Sequence, residues 1–204
     1  MSGRMLFKGP MQDEELVGCY MNKTGRLIIM AAPSGAGKTS VIERFLATHP
    51  NTTHSISCTT RPPRPGEVDG EYYYHLDRKT FEDGIANDKF AEWAEVHDNL
   101  YGTPIEPLDS ALRDGKNILL DLDVIGSLNL KKMYGDKAIS IFILPPSMEE
   151  LKKRLCGRAS DSREQQELRL KNALTEITYK DKFDHQVVND ILENACREIE
   201  KIIE

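Results

Sequence analysis

The chain has 204 residues, 29% of them charged and 39% hydrophobic, and a net charge of −6; this excludes a disordered chain and argues against a general nucleic-acid binder, so an anionic ligand must be met by local positive charge. Cys19, Cys58, Cys156 and Cys196 are scattered without a CxxC pair, which speaks against a zinc site or a disulfide framework and for a reducing compartment. No apolar run approaches the roughly 18 residues needed to span a bilayer and no apolar signal segment opens the chain, so the expectation is a cytoplasmic protein with neither a membrane nor a nucleic acid as partner.

Residues 1–24 show no helical or strand period and are expected to form a poorly ordered extension, with Met21 a candidate functional start. Arg26 to Met30 reads as a buried strand. Val41, Ile42, Phe45 and Leu46 then mark one apolar helix face, closed by Pro50. His54 to Cys58 reads as a short strand. Residues 59–104 break the rhythm, with Tyr72, Tyr73 and Tyr74 in a row and a turn rich in proline and arginine; they suggest an inserted lobe. Ile105, Leu108 and Leu112 mark a helix that stops at Gly115. Asn117 to Leu122 and Ala138 to Leu144 read as two further strands. Ser147 and Glu150 have capping-box spacing, repeated at Asp190 and Glu193 before Leu192, Ile199 and Ile202. Alternating strands and helices predict an α/β fold with a doubly wound parallel sheet, and the glycine-rich loop that follows its first strand makes it of the P-loop NTPase type.

Ala32-Pro33-Ser34-Gly35-Ala36-Gly37-Lys38-Thr39, followed by Ser40, has P-loop spacing from its second position onward. Glycines let the backbone turn its N–H groups inward around phosphate oxygens, and the following helix adds partial positive charge there. Lys38 is expected to reach the β- and γ-phosphates of a bound ATP, and the Thr39 hydroxyl to ligate Mg²⁺. Ala32 replaces the usual first glycine, at a strand end where φ can stay negative. Asp121 and Asp123 end an apolar run. As residues two apart in a strand they are expected to share a face, at the end where P-loop enzymes organise Mg²⁺.

Ser57-Cys58-Thr59-Thr60-Arg61-Pro62-Pro63-Arg64-Pro65-Gly66-Glu67-Val68-Asp69-Gly70 resembles the signature of the guanylate kinase family. Phe90-Ala91-Glu92-Trp93-Ala94, Tyr101-Gly102-Thr103 and Asp121-Leu122-Asp123-Val124-Ile125-Gly126 fit the same family. The resemblance implies phosphoryl transfer from ATP to GMP, with dGMP a further candidate acceptor. By position it implies that Arg61, Arg64 and Tyr73 hold the GMP phosphate and that Glu92 accepts from the guanine N1–H and 2-amino group. Ser57 and Thr103 would serve the O6 side, Tyr101 the phosphate or base, and Asp123 would lie near the acceptor. Thr103 stands where serine is common, and Ile125 where glutamine is frequent.

From 152 to 171 seven basic residues face three acids, and the resemblance makes this stretch a lid. Arg154, Arg158 and Arg169 would clamp the transferring phosphoryl alongside Lys38, and Asn189 would sit beside adenine. Asp121 would hold Mg²⁺ through water. The expected organisation is a core of residues 25–56, 105–149 and 173–204, a GMP-binding lobe of 57–104 with mixed α/β structure, and a helical lid of 150–172. No general base is needed, because a phosphate monoester with its second pKa near 6 is largely ionised at about pH 7. The five histidines show no ligand spacing. A GTPase would share the Asp123-Val124-Ile125-Gly126 pattern, yet no Asn-Lys-x-Asp follows. A non-catalytic binding module of the same fold would have no physical use for Lys38, Thr39 and the arginines. Oligomeric state stays open.

Overall fold

The computed structural model describes residues 25–96, 98–156 and 163–204. The extension expected over 1–24, and the lid residue Arg158, lie outside the described residues. Two sheets organise the rest. The first is fully parallel, in the order β2 (Thr52–His54), β7 (Asn117–Asp121), β1 (Leu27–Ala31), β8 (Ala138–Leu144), β9 (His185–Val188). The second is mixed, in the order β4 (Tyr73–His75), β3 (Ser57–Thr59), β6 (Asn99–Pro104), β5 (Phe90–Val96).

β1 is central and every one of its residues is buried. A parallel strand covered on both faces must be apolar at every position, which is why Leu27-Ile28-Ile29-Met30-Ala31 shows no alternation. Its side chains still divide by parity. Ile28 and Met30 join Ile141 and Val187 in a cluster closed by Phe45 of α1 (Lys38–Thr48) and Ile199 of α7 (Leu192–Ile203). Leu27 and Ile29 join Ile118 and Leu120 on the other face, under Leu108 of α3 (Ile105–Arg113) and Leu130 of α4 (Val124–Tyr134). Helix α2 (Arg78–Ala86) packs on one face of the second sheet, through Phe81 on Cys58 and Leu100. Two further helices, α5 (Met148–Cys156) and α6 (Arg163–Ile177), pack on each other through Leu151, Leu155 and Ala173.

Three sequence expectations are corrected. His54 to Cys58 is two strands: Ser55 still donates its N–H to Leu119 in the core sheet at 2.8 Å, whereas Cys58 pairs with Gly102 in the second. Asp121 and Asp123 do not share a strand face, because β7 ends at Asp121 and Asp123 becomes the N-cap of α4, its Oδ1 accepting from Gly126 N–H at 2.7 Å. The cap expected at Asp190 is absent; the N-cap of α7 is Ile191, with no side-chain hydrogen bond. Ser147 does cap α5, accepting from Glu150 N–H at 3.1 Å, while the Glu150 carboxylate turns to Arg154 Nε at 3.2 Å. Among the described residues no helix is long and apolar enough to cross a membrane.

Phe142 of β8 is fully buried and meets Phe183 edge-on at 5.0 Å. Phe142→Ala should cost about 3–5 kcal/mol in urea unfolding. Val188, on the edge strand and 47% exposed, should lose less than about 0.5 kcal/mol on truncation to alanine in the same measurement.

Candidate active site

The turn from β1 into α1 is the phosphate loop. Gly35 and Gly37 have φ of 87° and 90°, a left-handed region that β-carbons disfavour. A Cβ on Gly37 would also lie 2.4 Å from Asn189 Nδ2. Among the described residues the only non-glycine positive φ values are at Asp88 and Asp98, so Ala32 sits in ordinary backbone and its methyl group is tolerated. α1 starts at Lys38 with no side-chain cap, so its dipole and first-turn N–H groups remain for an anion.

Lys38 is held at the sheet's C-terminal edge. Its Nζ pairs with the Asp121 carboxylate and donates to the Leu122 carbonyl at 2.7 Å. The loop is braced from below by Asn189. This residue is buried and its Nδ2 donates to the Ala36 carbonyl at 2.9 Å, so the structure puts it beneath the loop. Ala36 is itself fully buried, and its carbonyl also accepts from Arg154 Nη1 at 3.4 Å.

One cleft of about 640 Å³ runs from this loop to the second sheet. Its walls include the loop residues Ala32–Gly35 and Gly37–Ser40, then Asp121, Asp123 and Arg154, and at the far end Ser57 and Tyr73. Strand register explains how the far end is assembled. Ser57 pairs with Tyr73, Thr59 with Tyr101, and Glu92 with Thr103. Paired residues point the same way and alternate residues share a face, so Ser57, Tyr73, Glu92, Tyr101 and Thr103 all stand on one face. The opposite face carries Cys58 and Leu100 against α2.

Thr103 Oγ1 donates to Glu92 Oε1 at 2.7 Å. Burial raises the Glu92 pKa above the ordinary carboxylate value, Asp123 adds to that, and the Thr103 bond opposes it. Tyr73 and Tyr101 meet edge-on at 5.9 Å, and the Arg61 guanidinium lies 5.7 Å from the Tyr73 ring centre. Arg64 is exposed at the tip of the same loop. Arg169 is half-buried on α6, two helical turns before Glu176 and on the same helix face.

Glu176 and His54 were missed in the sequence. Glu176 lines the cleft and accepts from Ser34 N–H at 3.1 Å; burial raises its pKa, against the pull of that bond and of Lys38. His54 also lines the cleft, and burial lowers its pKa although Asp121 acts the other way. Neither belongs to a local motif, so no spacing could have marked them.

A glycine-turned phosphate loop on the central strand, with a second sheet facing it across a shared cleft, defines a P-loop protein of the nucleoside-monophosphate kinase type. A family model for guanylate kinase matches residues 24–204. A guanylate kinase of Clostridium perfringens is 45% identical over 184 residues, covering 90% of this chain and 85% of that protein. One from Nostoc sp. is 46% identical over 177 residues, covering 87% and 88%. The crystal structure of a guanylate kinase from Anaplasma phagocytophilum superposes with a TM-score of 0.70 at 32% identity, over 89% of this chain and 85% of that one. The chain belongs to the guanylate kinase family.

The raised Glu92 pKa has a stability consequence. The folded state binds this proton more tightly than the unfolded chain, so the ionised carboxylate costs stability above the folded pKa, and the cost fades as pH falls toward the unfolded value. Glu92→Gln should therefore raise Tm at about pH 7.5. The gain should vanish near the ordinary glutamate pKa of about 4.3, as read by thermal melts across pH.

Proposed function

We propose that the chain transfers the γ-phosphoryl group of ATP to GMP, giving ADP and GDP. The observation that carries this reading is that one cleft joins Lys38 and Asp121 at one end to the Ser57–Tyr73 face at the other. Two nucleotides end to end in such a cleft exclude water from the transfer path. ATP phosphates take backbone N–H groups of Gly35 and Gly37–Ser40, together with the Lys38 ammonium. The GMP phosphate takes Arg61, Arg64 and Tyr73, a pair of guanidinium forks and a phenol suited to a dianion.

Glu92 reads the base. A carboxylate offers about four acceptor sites, so the Thr103 hydroxyl on Oε1 leaves room for the guanine N1–H and 2-amino group. Adenine lacks both donors and would leave a buried carboxylate unpaired, which discriminates strongly. Ser57 and Thr103 serve the O6 side, Tyr101 joins the phosphate contacts, and Asp123 stands near the acceptor.

In the transfer, an oxygen of the GMP phosphate attacks the γ-phosphorus and the bond to the β-phosphate oxygen breaks, releasing ADP. No side chain need take a proton. Lys38, Arg154, Arg158 and Arg169 stabilise charge spread over the moving group. The donor set fits Mg²⁺: Thr39 and Asp121 both line the cleft and offer oxygen donors, a hydroxyl and a carboxylate, of the kind this ion takes, one or two from the protein together with substrate phosphates. When bound, the ion would supply positive charge that neutralises the donor's phosphates. Asn189 acts through the loop it braces.

The test is a coupled assay of ADP formation with GMP, dGMP, AMP, UMP or no acceptor. GMP should be strongly preferred; equal turnover without acceptor would sink the reading. Lys38→Ala should lower kcat by at least about 10²–10³-fold with the fold retained by circular dichroism. Glu92→Ala should raise the KM for GMP and narrow the gap between GMP and AMP, and unchanged selectivity would remove Glu92 from base recognition.

A further inference from the structure

The segment between β3 and β4 carries Arg61 and Arg64, and Glu67 is bonded to both. Arg64-Pro65-Gly66-Glu67 is a tight turn: Glu67 N–H donates to the Arg64 carbonyl at 3.0 Å and Gly66 has φ of 88°. Proline at the second position and a left-handed glycine at the third are the residues a type II turn demands. The Glu67 side chain then folds back over its own turn. Oε2 accepts from Arg64 N–H at 2.6 Å, and Oε1 accepts from Arg61 Nη2 at 2.9 Å.

Arg61 is fixed from several other directions. Its Nη1 donates to the Pro62 carbonyl at 2.8 Å, and its backbone N–H donates to Thr59 Oγ1 at 3.1 Å. Its carbonyl is 2.8 Å from His75 Nδ1, which must be the donor because a carbonyl only accepts. The ion pair is largely shielded, with the Arg61 and Glu67 side chains only 14% and 19% exposed. The Arg61 guanidinium and the Arg64 N–H hold the Glu67 carboxyl well below the usual range, at about 2, against a small opposing effect of burial.

By charge alone this carboxylate is misplaced, since it stands among the two arginines read above as ligands of a phosphate dianion. It is accounted for if its contribution is geometric. A guanidinium has five N–H donors, so the bonds to Glu67 and Pro62 leave others for a ligand. An arginine already held in one rotamer also loses less entropy on binding. We propose that Glu67 is a positioning residue for the acceptor nucleotide's phosphate. It sets the Arg61 guanidinium and the Arg64 main chain relative to each other before the nucleotide arrives. The proposal rests on the reading of Arg61 and Arg64 as phosphate ligands.

Charge and geometry predict opposite signs for Glu67→Gln. Removing a negative charge beside a dianion site should tighten GMP, whereas loosening Arg61 should weaken it. Steady-state kinetics with ATP and GMP would compare wild type with Glu67→Gln, Glu67→Asp, Arg61→Ala and the Arg61→Ala/Glu67→Gln double variant. The expected result for Glu67→Gln is a GMP KM raised about tenfold with the ATP KM unchanged. Glu67→Asp, which keeps the charge but is too short to span both partners, should also raise the GMP KM. The double variant should fall clearly short of the product of the two single effects, because part of the Glu67 effect acts through Arg61. A GMP KM that is unchanged or lower in Glu67→Gln, or full additivity in the double variant, would overturn the proposal. If Arg61→Ala raises the GMP KM and Glu67→Gln does not, the positioning role alone fails. If Arg61→Ala leaves it unchanged, the phosphate reading fails and takes this inference with it.

Discussion

The anchoring of Lys38 at the edge of the core sheet is the contact on which the rest of the site depends. The residue begins α1 and is covalently part of the phosphate loop, yet its ammonium is held by the Asp121 carboxylate and the Leu122 carbonyl at the end of β7. This fixes the distance between the loop and the neighbouring strand. It also explains why the strand order matters, because β7 lies beside β1 only through a crossover that carries the chain out through the second sheet and back. A strand order that separated β1 from β7 would leave both charges without a partner.

The second sheet follows a different logic. The central strand of the core sheet is buried on both faces, so it is uniformly apolar; the second sheet packs one face on α2, and there its residues alternate. Cys58 and Leu100 pack under α2, while Ser57, Tyr73, Glu92, Tyr101 and Thr103 face the other way. Alternation is what lets a three-residue strand such as β3 contribute to packing under α2 and to the cleft at once. The arrangement has a cost. Glu92 is drawn out of water next to Asp123, and its raised pKa records the strain of keeping a charge there. Perturbed ionisable groups of this kind concentrate at functional sites.

Acidic side chains recur beside the basic ones. Asp121 meets Lys38, Glu67 meets Arg61, and Glu150 meets Arg154. In a chain with a net charge of −6, these three cations are each held by a carboxylate in a defined geometry. Long cationic side chains gain from such partners because less rotamer freedom remains to be lost when a phosphate binds. Lys38, Arg61 and Arg154 come from three separate parts of the fold, and each carries its own counter-ion.

The phosphate loop was legible in the sequence because everything it needs lies within ten residues: a fully apolar strand, glycines where φ is positive, and a lysine and a threonine opening a helix. The shared face of Ser57, Tyr73, Glu92 and Thr103 was not legible from local pattern, since they lie in four different strands and no local period connects them; only the family resemblance put them together. The helix ahead of Gly115 and the β8 strand followed from periodicity, which reports burial. Short-range reading failed where a tertiary contact chose among local options. Pairing with Leu119 on one side and Gly102 on the other splits the run from His54 to Cys58. The end of β7 makes Asp123 a cap, and α7 begins after Ile191 without the carboxylate cap expected of Asp190. Glu176 and Asn189 gain their positions from partners 142 and 153 residues away. Neighbouring residues dictate turn geometry and which face is apolar. Which strand lies next to which, and which carboxylate meets which cation, depends on how distant segments close around a common core, and that is a property of the folded chain alone.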